Sequence, residues 1–217
     1  MNLFRLIKVP LILNIGLRLA IFYFLFETML LPNDPRFAGK AIPIRNFVIV
    51  TGASLVFPIF YILRGKKSGY PFWTDFLYLS IFALDMAGNS FNLYDTIFWV
   101  DLIPHFHGTG AATLIFYLVV LARDFFGKIK LSKLEAFFLS FGLATILHSA
   151  LEAQEFYTDV FAGTHNVRGV FDVINDLVAG FLGSIVYVFL FEVFAKGKTK
   201  DQIKQLLTPL VKLFVHK

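Results

Sequence analysis

The 217-residue chain contains no cysteine. Disulfides, thiolate metal sites and cysteine nucleophiles are therefore excluded. It is also poor in charge. Asp, Glu, Lys and Arg supply 16% of its residues, where a soluble domain usually carries about 25%. Phosphate-loop, nucleophile-elbow and HExxH patterns are missing, which removes the commonest signatures of nucleotide binding, serine hydrolysis and zinc proteolysis. No low-complexity linker, convincing repeat or second globular domain interrupts the chain.

Apolar side chains are abundant instead. Hydrophobic residues make up 57% of the chain and aromatics 18%, with 28 Phe. Mean hydropathy is +0.70. The excess recurs along the whole length, which excludes a disordered chain, a collagen-like fibre and most soluble enzymes. This is the composition of a polytopic membrane protein. The net charge of +5 fits basic cytoplasmic loops better than a nucleic-acid partner, and none is expected.

Crossing a hydrocarbon core of about 30 Å takes ~20 apolar helical residues. Six stretches qualify: residues 11–31, 46–63, 72–92, 103–121, 134–157 and 170–194. The expected fold is thus all-α, a bundle of six transmembrane helices in a cell membrane, of prokaryotic plasma-membrane type. Arg5 and Lys8 before the first run resemble a signal peptide, but its length and the lack of an A-x-A-like exit predict an uncleaved first span. With six spans, 15 Lys and Arg fall on the side of the termini and 4 on the other, which predicts cytoplasmic termini. Residues 1–200 form the transmembrane domain and residues 201–217 an amphipathic cytoplasmic tail. In the tail, Ile203, Leu206, Leu207, Leu210, Leu213 and Phe214 recur at helical spacing around Pro209. That pattern predicts an interfacial helix on the anionic leaflet, with a frayed tail as the alternative.

The informative residues are ionisable groups within or beside the spans, where a charge costs at least ~2.5–3.5 kcal/mol on insertion scales. Asp85/Asn89, Asp101/His105, His148/Glu152 and Asp172/Asp176 are i, i+4 pairs, so each pair lies on one helix face. Alternating helix direction places all four pairs in the outer half of the membrane. Eight acids gather there: Asp85, Asp95, Asp101, Glu152, Glu155, Asp159, Asp172 and Asp176. Arg168 is the lone basic residue near them between spans three and six. So many carboxylates repel one another and lose hydration. Protonation, bound cations or a water-filled cavity would relieve them. Histidine and carboxylate ligands on facing helices are one way to build a metal centre.

Plainer roles stand beside these. Asp85, Asn89 and Asn175 are candidates for interhelical hydrogen bonds, and Asp95 and Asp159 for solvated loop residues. His107 points away from His105 on a helix. Gly108 with Ala112, and Gly180 with Gly183, are small residues that let helices approach closely. Gly88 either does the same or loosens span three. Gly163 and Gly169 bracket His165 and Arg168 in a loop they make adaptable.

The pattern Gly88-Asn89-x4-Tyr94-Asp95-x5-Asp101-x3-His105-x2-Gly108 resembles the YjdF-like family of small integral membrane proteins. Glu152-x2-Glu155-x3-Asp159, Asp172-x3-Asp176 and Gly180-x2-Gly183 are similar to the second half of that family's pattern. A more distant likeness is to VanZ-like proteins. The resemblance covers about residues 88–183 and implies a six-span helical membrane protein. The VanZ-like likeness implies a role facing the envelope. His107, His148 and His165 fall outside the shared pattern.

Three kinds of function fit these residues. In a membrane-embedded enzyme, His105, His148, Glu152, Asp172 and Asp176 are the metal ligands. The cation would be zinc, manganese or iron, since calcium and magnesium prefer all-oxygen sites. Asp101 and Glu155 are then the candidate general bases. Asp85, Asn89, Asp95, His107, Asp159, His165 and Arg168 form the supporting network. The substrate would be a lipid or small envelope intermediate, and membrane lipids are the expected partners. In a transporter, the carboxylates would bind a cation or relay protons. In a scaffold, the network would only fix helix packing. The apolar stretches after Gly110 and Ser184 predict a closed cytoplasmic half. The sequence carries no signal for an oligomeric state.

Overall fold

The computed structural model describes residues 3–38, 40, 42–65, 69–97, 99–127 and 129–214. Lys66, Lys67, Lys128, His216 and Lys217, which count toward the charge and histidine totals, lie outside the described residues, as do the side chains of Arg5, Lys8 and Phe214. The chain is all-helical, 81% helix, with no strand among the described residues.

In chain order the elements are α1 (Leu3–Leu30), α2 (Ile42–Arg45), a π-helical stretch (Asn46–Val50), α3 (Thr51–Ala53), α4 (Val56–Leu63), α5 (Phe72–Ser90) and α6 (Leu93–Thr96). Then come α7 (Leu102–Phe125), α8 (Lys133–Ala162), α9 (Val170–Lys196) and α10 (Lys200–Phe214). Local chemistry sets several boundaries. Ser132 and Glu135 cap α8 reciprocally: the Glu135 N–H donates to Ser132 Oγ, and the Ser132 N–H donates to the Glu135 carboxylate. Gly163 ends α8 at φ 66°, a left-handed geometry that glycine adopts without a Cβ penalty.

Five helical stretches are long and apolar enough to cross a membrane: Val9–Leu30, Ile42–Leu63, Leu102–Phe125, Lys133–Ala162 and Val170–Lys196. Large side chains such as Leu19, Leu30, Phe161 and Phe171 are exposed on them. Helices apolar on their outer faces belong in lipid. The expected third span corresponds to α5, which is not among the five. Asp75, Asp85, Asn89 and several hydroxyls lower its hydropathy, and it sits between α1 and α7 with Asp75, Leu79, Met86 and Asn89 buried.

Helix α7 is the hub. It packs most extensively on α9, then on α8, α10 and α5, while α1 pairs with α5. The α7–α9 seam is made of small residues. A Cβ on Gly183 would run into the Phe106 backbone carbonyl, and one on Gly110 would meet Tyr187 and Gly183. Gly88 admits the Tyr94 ring in the same way.

The C-terminal helix finds a protein surface where a lipid leaflet was expected. Ile203, Leu207, Leu210, Val211 and Leu213 are buried against Leu118 and Ala122 of α7 and Phe57 of α4. Leu206, expected on the same stripe, is exposed. Helix α10 thus closes one end of the bundle, while the acidic residues gather at the other. Near that closed end Arg18 reaches Asp75, at 2.9 Å, and the Ser54 carbonyl, tying α1 to α5 and to the turn before α4.

Candidate functional site

The first turn of α7, the second half of α8 and the first turns of α9 converge on one imidazole. His105 Nδ1 lies 2.9 Å from His148 Nε2 and 3.3 Å from Glu152 Oε1. His148 Nε2 lies 3.3 Å from the same Glu152 oxygen. On the far side of the ring, His105 Nε2 lies 3.6 Å from Asp101 Oδ1 and 3.8 Å from Asp176 Oδ1. His105 therefore belongs to two groups able to hold a metal ion, His105–His148–Glu152 and Asp101–His105–Asp176. His148, Glu152 and Asp176 are buried, and Asp176 Oδ1 has no hydrogen-bond partner among the described residues. A buried, unsatisfied carboxylate oxygen is costly unless something charged or protic reaches it.

Thr109, one turn after His105, shares a 2.9 Å hydrogen bond with His148 Nδ1. Gly180 makes room for both, since a Cβ there would sit 2.5 Å from His148 Nδ1 and 2.7 Å from Thr109 Oγ1. The His105–Thr109 spacing of i, i+4 was a signal available in the sequence.

Asp85, Asp95, Asp101, Glu155 and Asp172 pair with cations, more of them than the sequence suggested. Arg45 bridges Asp85 at 2.8 Å and Glu155 at 2.9 Å, joining α2 to α5 and α8. Lys40 pairs with Asp95 at 2.7 Å. Arg168 pairs with Asp101 and with Asp172, the latter at 3.3 Å, and donates to the Tyr94 carbonyl. Arg168 is thus not the sole counter-charge, because α2 and the segment before it bring Arg45 and Lys40 into the same region. Burial pulls the Arg168 guanidinium down, but the charges of Asp101 and Asp172 outweigh it and hold it above its ordinary range. Burial likewise pushes the Asp101 carboxyl up, while the proximity of His105 and of the Arg168 guanidinium brings it below the usual range.

Other expected residues serve elsewhere. Asp172 takes the Arg168 backbone N–H and is in neither ligand group. Asn89 Nδ2 donates to the Asp85 carbonyl within α5. His107 turns away from His105 and meets Ser80 and Tyr187. Asp159 accepts from Thr164 and from the backbone N–H groups of Asn166 and Val167, shaping the loop after α8. His165 lines a cavity that adjoins the cluster.

The cavity measures about 460 Å³, within the usual range of small-ligand sites of ~300–1,000 Å³. One end is polar, with Asp101, His105, His148, Glu152, Arg45 and Arg168 on its wall. Beyond it the wall is mainly apolar, broken by Asn46 and Thr109, and runs past Ala112, Ile115 and Phe116 to Phe57 and Tyr78. No described residue of α9 lines it, so Asp176 approaches His105 from behind.

Comparison with known proteins adds one relative. Over 106 residues the chain is 30% identical to an uncharacterized protein of Thermotoga maritima, covering 48% of this chain and 53% of the relative. The chain thus spans about half the relative's length. No family model matches the chain, and no solved structure matches it. The fold and site thus combine five helices long and apolar enough to cross a membrane with a His/Asp/Glu cluster geometrically able to hold a metal ion.

Proposed function

We propose that the chain spans the membrane six times with both termini cytoplasmic, and that the cluster in the outer half binds one divalent cation and acts on a lipid or envelope substrate. The observation that carries this is the triangle of His105 Nδ1, His148 Nε2 and Glu152 Oε1, with edges of 2.9, 3.3 and 3.3 Å. Three ligands at ~2.0–2.1 Å from a tetrahedral zinc lie about 3.3–3.4 Å apart, and a fourth position then stays open. All three residues line the cavity. Asp101 and Asp176 face the other ring nitrogen of His105 at 3.6 and 3.8 Å, on the side where carboxylates commonly stand behind a metal-bound imidazole. A bound zinc, manganese or iron would polarise an ester or phosphate oxygen or activate water at the open position. Glu155, on the cavity wall beside Arg45, is the residue placed to take a proton. Arg45 and Arg168 place positive charge beside Asp85, Glu155, Asp101 and Asp172. We also group the chain with the YjdF-like proteins, on the 88–183 motifs.

The direct 2.9 Å contact between the two imidazoles favours a second reading, a proton relay. Thr109 O–H would donate to His148 Nδ1 and His148 Nε2–H to His105 Nδ1, and His105 Nε2–H would pass its proton to Asp101 or Asp176 once the gaps of 3.6 and 3.8 Å close.

Elemental analysis of the purified protein, with thermal unfolding at rising free zinc, manganese and iron, separates the two. Metal binding predicts close to one equivalent per chain. It also predicts stabilisation growing as RT ln(1 + [L]/Kd), about 2.7 kcal/mol at a hundredfold excess over Kd. His148→Ala and Glu152→Ala should lose this response and His107→Ala should keep it. Acidification should weaken it as protons compete for the ligands. A parent protein that holds no metal and responds to none would leave the proton relay as the better account.

A further inference from the structure

A cation site by itself does not require a long apolar arm, yet the polar cluster opens into one. From His105 to Phe116 on α7 the cavity wall runs eleven helical steps, or about 16 Å at ~1.5 Å per step. One leaflet of a hydrocarbon core of ~30 Å is about 15 Å deep. The arm therefore matches the depth of a single leaflet, with the cluster at its head-group end.

Two further features bear on the occupant. Leu147 and Leu151 line the cavity and are 53% and 51% exposed, so the arm opens sideways along α8 toward the surrounding lipid. The far end is shut. Phe57 and Tyr78 form its floor, and both pack into the core that Leu207, Leu210 and Leu213 of α10 complete. A water-soluble substrate has no use for a side opening of leucines. A channel would need the cavity to continue through the bundle, where Phe57 and Tyr78 close it.

We propose that the cavity takes a membrane lipid from the outer leaflet, with one hydrocarbon chain in the arm and an oxygen-bearing head at the open metal position, and that Phe57 and Tyr78 limit the length of that chain. This rests on the proposed cation site for the head group but draws on separate residues for the chain. Head and chain thus fail independently. Ala112 lies about 10 Å from His105 along α7 and Ile115 about 15 Å, at ~1.5 Å per residue. Bulk at these two depths therefore truncates the arm by different amounts.

The experiment is native mass spectrometry of the full chain, released from short-chain detergent, with the bound lipid identified and metal measured on the same sample. The parent should carry one lipid with a narrow spread of chain lengths. Ala112→Phe should lose the lipid and keep the metal. Ile115→Trp should shift the bound lipids to shorter chains, since each excluded methylene is worth about fourfold in affinity. Phe57→Ala should admit longer ones. His148→Ala should lose the metal and keep chain selectivity. Because Phe57 also supports α10, Ile115→Trp carries the length test if Phe57→Ala does not fold. The proposal is overturned if the parent holds metal without lipid, or if Ala112→Phe and Ile115→Trp bind the same lipids as the parent. Lipid selectivity in a parent without metal would instead sink the cation reading and leave the lipid site standing.

Discussion

His105 and His148 stack at a centroid distance of 5.1 Å, with Nδ1 of one 2.9 Å from Nε2 of the other. Two imidazoles so placed share either a proton or a cation. Both ring nitrogens of His105 are committed, one to His148 and Glu152 and one to Asp101 and Asp176. Helices α7, α8 and α9 are thereby gathered around a single side chain.

The lysine and arginine asymmetry predicts cytoplasmic termini. In intact cells, Asp95→Cys and His165→Cys should react with an impermeant maleimide, because this cysteine-free chain offers no other target. Lys200→Cys should react only after permeabilisation. Labelling of position 200 before permeabilisation would reverse the topology.

Arg45 pairs with Asp85 and Glu155 at once. Arg45→Ala leaves two partly buried carboxylates facing each other and should cost about 1.5–3 kcal/mol of stability, the worth of charged hydrogen bonds. Adding Glu155→Gln should recover part of the loss by removing one of the like charges. Chemical denaturation in mild detergent measures both. A wild-type midpoint for Arg45→Ala would mean that the bridge contributes nothing.

Gly180 is the space into which His148 and Thr109 fit. Gly180→Ala should cost about 1–3 kcal/mol by overpacking and should blunt the stabilisation by added metal, because the His148 ring must move. Gly142→Ala, on the same helix as His148 but with nothing within 4 Å of the new methyl, should stabilise by roughly 0.5–1 kcal/mol. An unchanged metal response in Gly180→Ala would separate His148 from the cation.

Leu207 is fully buried between α10 and the bundle. Leu207→Ala should therefore lower stability by about 2–5 kcal/mol. Leu206→Ala, one residue earlier and exposed, should change it little. Equal and small effects at the two positions would return α10 to the lipid surface.

Part of the site is legible in the order of residues alone. The spacing of His148 and Glu152, and of Asp101 and His105, puts each pair on one face, and each pair does meet in space. Equal spacing does not guarantee equal outcomes. Asp172 turns to Arg168 while Asp176 turns to His105, and Asn89 bonds the Asp85 backbone in place of joining the ligand groups. Arg45 escapes a hydropathy reading because the apolar run begins at residue 46, whereas helical backbone starts at Ile42 and leads into a π-helical stretch. That earlier start carries Arg45 into the bundle between Asp85 and Glu155.

Composition and period alone require helices, membrane burial and an acidic, histidine-bearing end, because these follow from the free energy of each residue in lipid and from 3.6 residues per turn. Which nitrogen meets which oxygen was decided by the packing of whole helices. Rotation about each axis, depth along it and the close α7–α9 approach through Gly110, Gly180 and Gly183 depend on side chains far apart in the chain. The same holds for α10. Its apolar stripe required something to cover it, but lipid and protein are equally apolar partners for leucine. Only the fit against Phe57, Leu118 and Ala122 selects the protein.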